Sequence, residues 1–177
     1  MRWPRSAQTR GMRIVQWCDG VIKELTGFGR GPFNWFATNA LSDGSVVIGF
    51  RWKQGKPFAS DQALAFRWED GVVQMIGELP GGRPISNVED ASEDGRVIIG
   101  YIESSRRKTA FVWDQAHGMR ALKSVLMQYR VPTAQWRLES ALSISPNGRH
   151  IAGIGIDPQG NPQPYLATLP PEAFSDE

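Results

Sequence analysis

The 177-residue sequence has one cysteine, Cys18, so no disulfide can close within the chain. It has two histidines, His117 and His150, 33 residues apart, whereas a zinc site needs several ligands close together. No run of 18 apolar residues occurs, which excludes a transmembrane helix. An excess of one charge is also missing. Twenty Lys and Arg against 18 Asp and Glu leave a net +2, too little to draw the chain to nucleic acid or an acidic membrane. There is no Gly-x-Ser-x-Gly elbow, and Cys18 beside an Asp-Gly pair reads as an incidental thiol. Met1 to Arg13 carries Arg2, Arg5, Arg10 and Arg13 and no acid. That stretch lacks the apolar core of a secretory signal and reads as a strand remnant behind a start Met.

What the chain does have is turns and tryptophan. Nineteen Gly, 12 Pro and seven Trp point to many short strands. Two units alternate. The first is an aromatic strand, a tight turn and an apolar strand: Ile14 to Ile22, Ala65 to Val73, and Ala110 to Met119 with a longer turn. The second is a small-residue strand, a turn and a Val/Ile strand ending in Gly: Ala40 to Gly49, Ala91 to Gly100, and Ser143 to Gly153. The spacing is regular. Gly44 to Gly95 is 95 − 44 = 51 residues, and Gly95 to Gly148 is 148 − 95 = 53. Two hairpins in about 50 residues make one propeller blade. The expected fold is therefore all-β, with about three four-stranded antiparallel blades in a β-propeller-like array. One repeat domain spans 1–177, with repeats at about 11–60, 61–105 and 106–160, a partial unit at 161–170 and a tail at 171–177.

Local chemistry supports this reading. Asp-Gly and Asn-Gly pairs tolerate the positive φ of tight hairpin turns, and Val and Ile favour strands. Leu122, Val125, Leu126 and Tyr129 have helical spacing, which predicts one short helix over 121–130, inserted between the hairpins of the last blade and stopped by Pro132. Counting strands gives thirteen. A ring needs four to eight blades of four, so the array is expected to be incomplete. Met1-Arg2-Trp3 resembles the Phe66-Arg67-Trp68 register, as if an upstream repeat were cut. Open blade ends are sticky, so either self-association or a longer, secreted parent is expected.

The repeats resemble the HAF repeat, a bacterial β-rich unit named for a His-Ala-Phe tripeptide. The matching residues are Ala65-Phe66 with Trp68, Asp70 and Gly71; Leu79-Pro80-Gly81-Gly82; Ala91-Ser92 with Asp94, Gly95 and Gly100; Ala110-Phe111 with Trp113; and Gly118-Met119. Trp136-Arg137-Leu138, Ser143 to Gly153 and Tyr165 to Leu169 look like a terminal unit. The likeness covers about Gly11 to Pro170. It departs at the tripeptide, where Leu64 and Thr109 replace the His and Ile14-Val15 replaces Ala-Phe. It implies an extracellular or cell-envelope location and a scaffold, and a scaffold does not fix an activity.

Function is therefore sought where the repeats differ. Trp17, Trp68 and Trp113 recur at one position and are expected to pack between blades. Gly27-Phe28-Gly29-Arg30-Gly31 aligns with a connection in the next repeat and reads as a turn, not a phosphate loop. Arg106-Arg107-Lys108 reads as a solvated loop. The candidate binding residues lie in the divergent loops: Asn34 and Trp35, Arg83, and Tyr129 and Trp136. Aromatics beside Asn and Arg would suit a carbohydrate or protein ligand; the other reading of Trp35 and Trp136, and the favoured one, is that they fill the core. No catalysis, cofactor or metal is expected. The competing reading is a propeller-type enzyme acting on polysaccharide. It needs paired carboxylates about 5 to 9 Å apart, and Glu89, Asp90 and Glu139 are the acids to test.

Overall fold

The computed structural model describes residues 12–29, 31–55, 63–79, 86–104, 107–133 and 135–174. These form thirteen strands, one α-helix and one short 3-10 helix, Pro171–Phe174. A leading hairpin pairs β1 (Val15–Cys18) with β2 (Val21–Glu24). The first blade is β3 (Phe33–Ala40), β4 (Val46–Lys53), β5 (Leu64–Glu69) and β6 (Val72–Met75), in that order. The second is β7 (Ser86–Ala91), β8 (Val97–Ser104), β9 (Arg107–Asp114) and β10 (Gly118–Ala121). The third is β11 (Arg137–Ile144), β12 (His150–Ile156) and β13 (Pro162–Thr168). All pairs are antiparallel. The described residues form a nearly all-β, incomplete propeller-like array of four antiparallel sheets, with no closed barrel among them.

The period is the expected one, but the sheets start half a period away from the sequence repeats. Each four-stranded sheet begins with the small-residue hairpin and ends with the aromatic hairpin that follows it. Gly49 of β4 faces Phe66 of β5, and Gly100 of β8 faces Phe111 of β9. Boundaries drawn near 60 and 105 therefore fall inside sheets. The helix moves for the same reason. It runs Leu122–Gln128, buries Leu122, Val125 and Leu126, and lies between the second and third blades instead of within one. It ends at Tyr129, followed by Arg130 in the left-handed region (φ 59°). Arg107 and Lys108 open β9 and are not loop residues.

The Asp-Gly turns are of two kinds. At Asp19-Gly20 and Asp70-Gly71 both residues have positive φ, 50° and 75° in the first and 48° and 83° in the second, as a two-residue hairpin turn demands. At Asp43-Gly44, Asp94-Gly95 and Asn147-Gly148 only the glycine is left-handed. There the side-chain oxygen accepts from the backbone N–H two residues on: Ser45 at 2.9 Å, Arg96 at 3.0 Å and Arg149 at 3.1 Å.

Packing between sheets has a direction. Phe111, Trp113 and Met119 of the second blade pack onto Val46, Ile48 and Ala65 of the first. Phe66, Trp68 and Val73 of the first blade pack in turn with Ile14, Leu25 and Phe28 around the leading hairpin. The third blade packs Leu138, Ala141, Ile151 and Ala167 onto Val97, Ile99 and Val112, with the helix covering the junction. Each repeat Trp thus leans on the sheet before it. Trp113 is 4% exposed, and the Trp68 indole N–H donates to Thr26 O at 2.8 Å. Trp17 departs from the expectation. It is 69% exposed, because among the described residues no sheet precedes its hairpin.

Candidate binding site

The residues singled out in the divergent loops do not converge. Trp35 is not an exposed ring. It is 6% exposed and meets Phe28 and Phe66 edge-on, with centroids 4.9 and 5.3 Å away. Asn34 is half-buried and accepts from Met12 N at 3.2 Å. Tyr129 and Trp136 are half-buried against the core between the second and third blades. The Tyr129 hydroxyl donates to Glu172 O at 3.1 Å, and Lys123 Nζ donates to Trp136 O at 2.8 Å. Arg83 lies outside the described residues. Trp35 on one side, and Tyr129 with Trp136 on the other, therefore belong to different cores.

The acids considered for hydrolysis are placed by the inner strands β3, β7 and β11. In each strand the register slips by one residue, at Ala37/Asn39, Val88/Asp90 and Ala141/Ser143. Such bulges re-aim the next side chain, and here they aim Asn39, Asp90 and Ser143 at one another. Asp90 Oδ1 accepts from Asn39 Nδ2 at 2.8 Å and from Ala91 N at 2.9 Å. Its Oδ2 accepts from Ile144 N at 3.0 Å and Ser143 Oγ at 3.3 Å. One carboxylate therefore ties three blades together. Glu139 pairs with Arg137 at 3.2 Å.

Glu89 is the bulge residue of β7, and burial pushes its carboxyl above the ordinary range, against the pull of Lys108. A raised pKa means that the folded state holds the proton more tightly than the unfolded chain. Its contribution is then full below the ordinary carboxyl pKa and is lost as pH rises through the folded value. Glu89→Gln is expected to raise stability at pH 7 and to leave it nearly unchanged at pH 3, read from urea melts at both pH values.

His117 and Arg120 both hold the buried Asp114, at 2.8 and 2.6 Å. His150 Nδ1 lies 3.1 Å from Thr168 Oγ1. Among the described residues no three His, Cys, Asp or Glu side chains come together as a cation site. No helix there is long and apolar enough to cross a membrane.

Three concavities accompany these features. One of about 270 Å³ lies over the Asn39–Asp90 junction and is floored by Val46, Ile48, Ala91 and Ile144. One of about 900 Å³ runs between the first and second blades past Arg67, Glu69, Asp94 and Asp114. There the charges are largely spent on each other: Arg67 holds Glu69 at 2.8 Å and Gly95 O at 3.0 Å, and Arg120 holds Asp114.

The third, of about 370 Å³, differs. It is lined by Gly27, Gly29, Gly31, Phe33, Trp35, Arg51, Val73 and Met75. Arg51 stands on β4 opposite Trp35. Its guanidinium carbon sits 4.2 Å from the Phe33 ring centroid and 5.3 Å from that of Trp35, within cation–π range. Its Nε is buried with no hydrogen-bond partner, and burial lowers its pKa. The glycine-rich wall is fixed by Arg13, whose Nη1 donates to Phe28 O at 2.8 Å and Gly29 O at 3.3 Å. Sequence reasoning passed over Arg51. The signal was its position two residues after the strand glycine, where the second blade has the buried Ile102 and the third has Gly155.

No family model matches the sequence, and no curated protein matches it. Among solved structures, the chain is similar to a putative TolB from Agrobacterium tumefaciens. The TM-score is 0.50 and the identity 14%, over 85% of this chain and 48% of that one. A TolB from Acinetobacter baumannii aligns at a TM-score of 0.39 and 13% identity, over 90% of this chain and 41% of that one. The first likeness shows a propeller-like fold, and the chain spans about half the length of that TolB.

Proposed function

We propose that the chain is a non-catalytic binding module on a propeller-like scaffold, of HAF-repeat type, working in the bacterial envelope or extracellular space. One observation carries this reading over the polysaccharide enzyme: Asp90 and the turn acids Asp43 and Asp94 are engaged by the scaffold. Asp90 accepts from Asn39, Ser143 and Ile144, and Asp43 and Asp94 fold the turns that they occupy. A hydrolase needs two carboxyls free to meet one bond. Binding is left to concave surface between repeats, of which the Arg51 hollow has the least-satisfied polar group. The ligand class is protein or carbohydrate. A glycan and peptide array run beside a polysaccharide hydrolysis screen tests this. Binding without turnover is expected. Turnover that disappears in Glu89→Gln, Asp90→Asn or Glu139→Gln would establish the enzyme instead.

The open ends favour a second copy of the chain as a further partner. Trp17 and its neighbour Ile22 are bare at one end. At the other end Leu142, Ile154 and Leu166 are exposed, the last by 72%. There His150 and Ala152 occupy the positions at which Val97 and Ile99 are buried in the second blade. Trp17→Ser is expected to weaken concentration-dependent association in sedimentation velocity by tenfold or more, about 1.4 kcal/mol. A wild-type chain that stays monomeric at high concentration would rule this partner out.

A further inference from the structure

We infer that the Arg51 hollow receives a carboxylate carried on an apolar body, the guanidinium taking the charge and Phe33, Trp35, Val73 and Met75 the body. This rests on the reading of the chain as a binding module and adds the class of ligand.

Four observations lead there. First, Arg51 stands apart from the arginines around it. Arg13 has Glu24 and two carbonyls, Arg67 has Glu69 and Gly95 O, Arg120 has Asp114 and Ala173 O, and Arg149 has Leu169 O. Among the described residues Arg51 has aromatic faces and no anion. A half-buried guanidinium whose Nε is covered and offered no acceptor among the described residues gains from a carboxylate, which matches its planar fork.

Second, the scaffold does not ask for a cation at this point. The second blade fills the matching position with Ile102, which is buried. Third, the walls are apolar apart from backbone. Sugar hydroxyls would need several side-chain partners, and among the described residues this lining offers one charged group. An alkyl or aryl body fits such walls better. Fourth, the approach is open: a Cβ added at Gly29 would meet nothing within 4 Å.

A free small acid and the C-terminus of a peptide ending in an apolar residue share this chemistry. The test uses the full chain, calorimetry, and the fluorescence of a tryptophan set that includes Trp35. The probes are phenylacetate, a peptide ending Leu-Phe with a free carboxylate, and the same peptide as its amide. The free acid is expected to bind at least tenfold more tightly than the amide. Binding of phenylacetate as well marks a free carboxylate as sufficient, and binding of the peptide alone marks a chain end.

Arg51→Ile is expected to fold, since the second blade uses Ile there, and to lose binding at least tenfold. Gly29→Phe, which adds a ring to a residue that lines the hollow and whose Cβ would meet no atom within 4 Å, is expected to do the same and stands in should Arg51→Ile fail to fold. No binding by either acid, equal binding of acid and amide, or binding unchanged in these variants would overturn the proposal. Array ligands that bind independently of Arg51 would overturn it while leaving the binding module standing, and turnover of a polysaccharide would overturn the module itself.

Discussion

Gly100→Ala is expected to destabilise the fold by about 3 kcal/mol or more, far above the usual loss for a surface glycine. A Cβ on Gly100 would fall on the carbonyl of Asn87, and Phe111 Cε1 lies 3.0 Å from the same point. The obstacle is backbone, so no side-chain rotation relieves it. Gly49 and Gly153 face the same obstacle, from Phe36 O and Ser140 O. In all three blades the carbonyl is pushed over the glycine where the inner strand bulges. Gly29→Ala is the control. It meets nothing within 4 Å and is expected to stay within about 0.5 kcal/mol of the parent. Urea denaturation of both variants measures the difference, and a Gly100→Ala loss below about 1 kcal/mol would refute the steric account.

The second large effect is expected at Asp90. Asp90→Ala removes the acceptor for Asn39 Nδ2, Ile144 N and Ser143 Oγ together. Ile144 is buried, so its N–H would be left without a partner at about 1–3 kcal/mol, and the lost charge-assisted bond to Asn39 adds to that. A loss of about 2–4 kcal/mol is expected overall. Because the bonds join separate blades, the effect should be shared with Asn39. A double-mutant cycle with Asn39→Ala should give a coupling of about 0.5–3 kcal/mol. Strictly additive losses would show that the Asn39–Asp90 bond does not couple the first two blades.

Much of the fold could be read from the sequence because its signals are local. Asp-Gly pairs between Val and Ile runs specify hairpins without reference to the rest of the chain. The helix around Leu122, Val125 and Leu126 was likewise legible from spacing. The phase of the blades was not. A periodic sequence can be cut anywhere, and only pairings such as Gly49 with Phe66 decide which hairpins share a sheet. The direction of packing was hidden for a related reason. Trp17, Trp68 and Trp113 look alike in sequence, and their burial depends on whether a sheet precedes each of them.

The site was less legible than the fold. Trp35, an aromatic beside Asn, left two readings open, ligand contact and the favoured core filling, and Phe28 and Phe66 closing around it decide for the core. Arg51 was hidden inside an aromatic strand that fits the repeat pattern in every other respect. Its meaning comes from comparing it with Ile102 at the same position. The carboxylates were legible as turn formers, and Asp43 and Asp94 are that. Asp90 is not. It does its work across 53 residues of sequence, with Ser143, which no local pattern reveals.

The half-period offset between sequence repeats and sheets bears on how such a chain can change its length. No sequence repeat is a free-standing block: each gives the outer strands of one sheet and the inner strands of the next. From β3 to β10, across the two four-stranded sheets, a stretch of 51 residues, the interval from Gly44 to Gly95, nonetheless holds one set of four strands. Duplicating or excising such a stretch would change the array by one whole sheet and restore the pairing across the joint. Across those two sheets, an insertion or excision of that length would not need a breakpoint that respects the boundary of a blade.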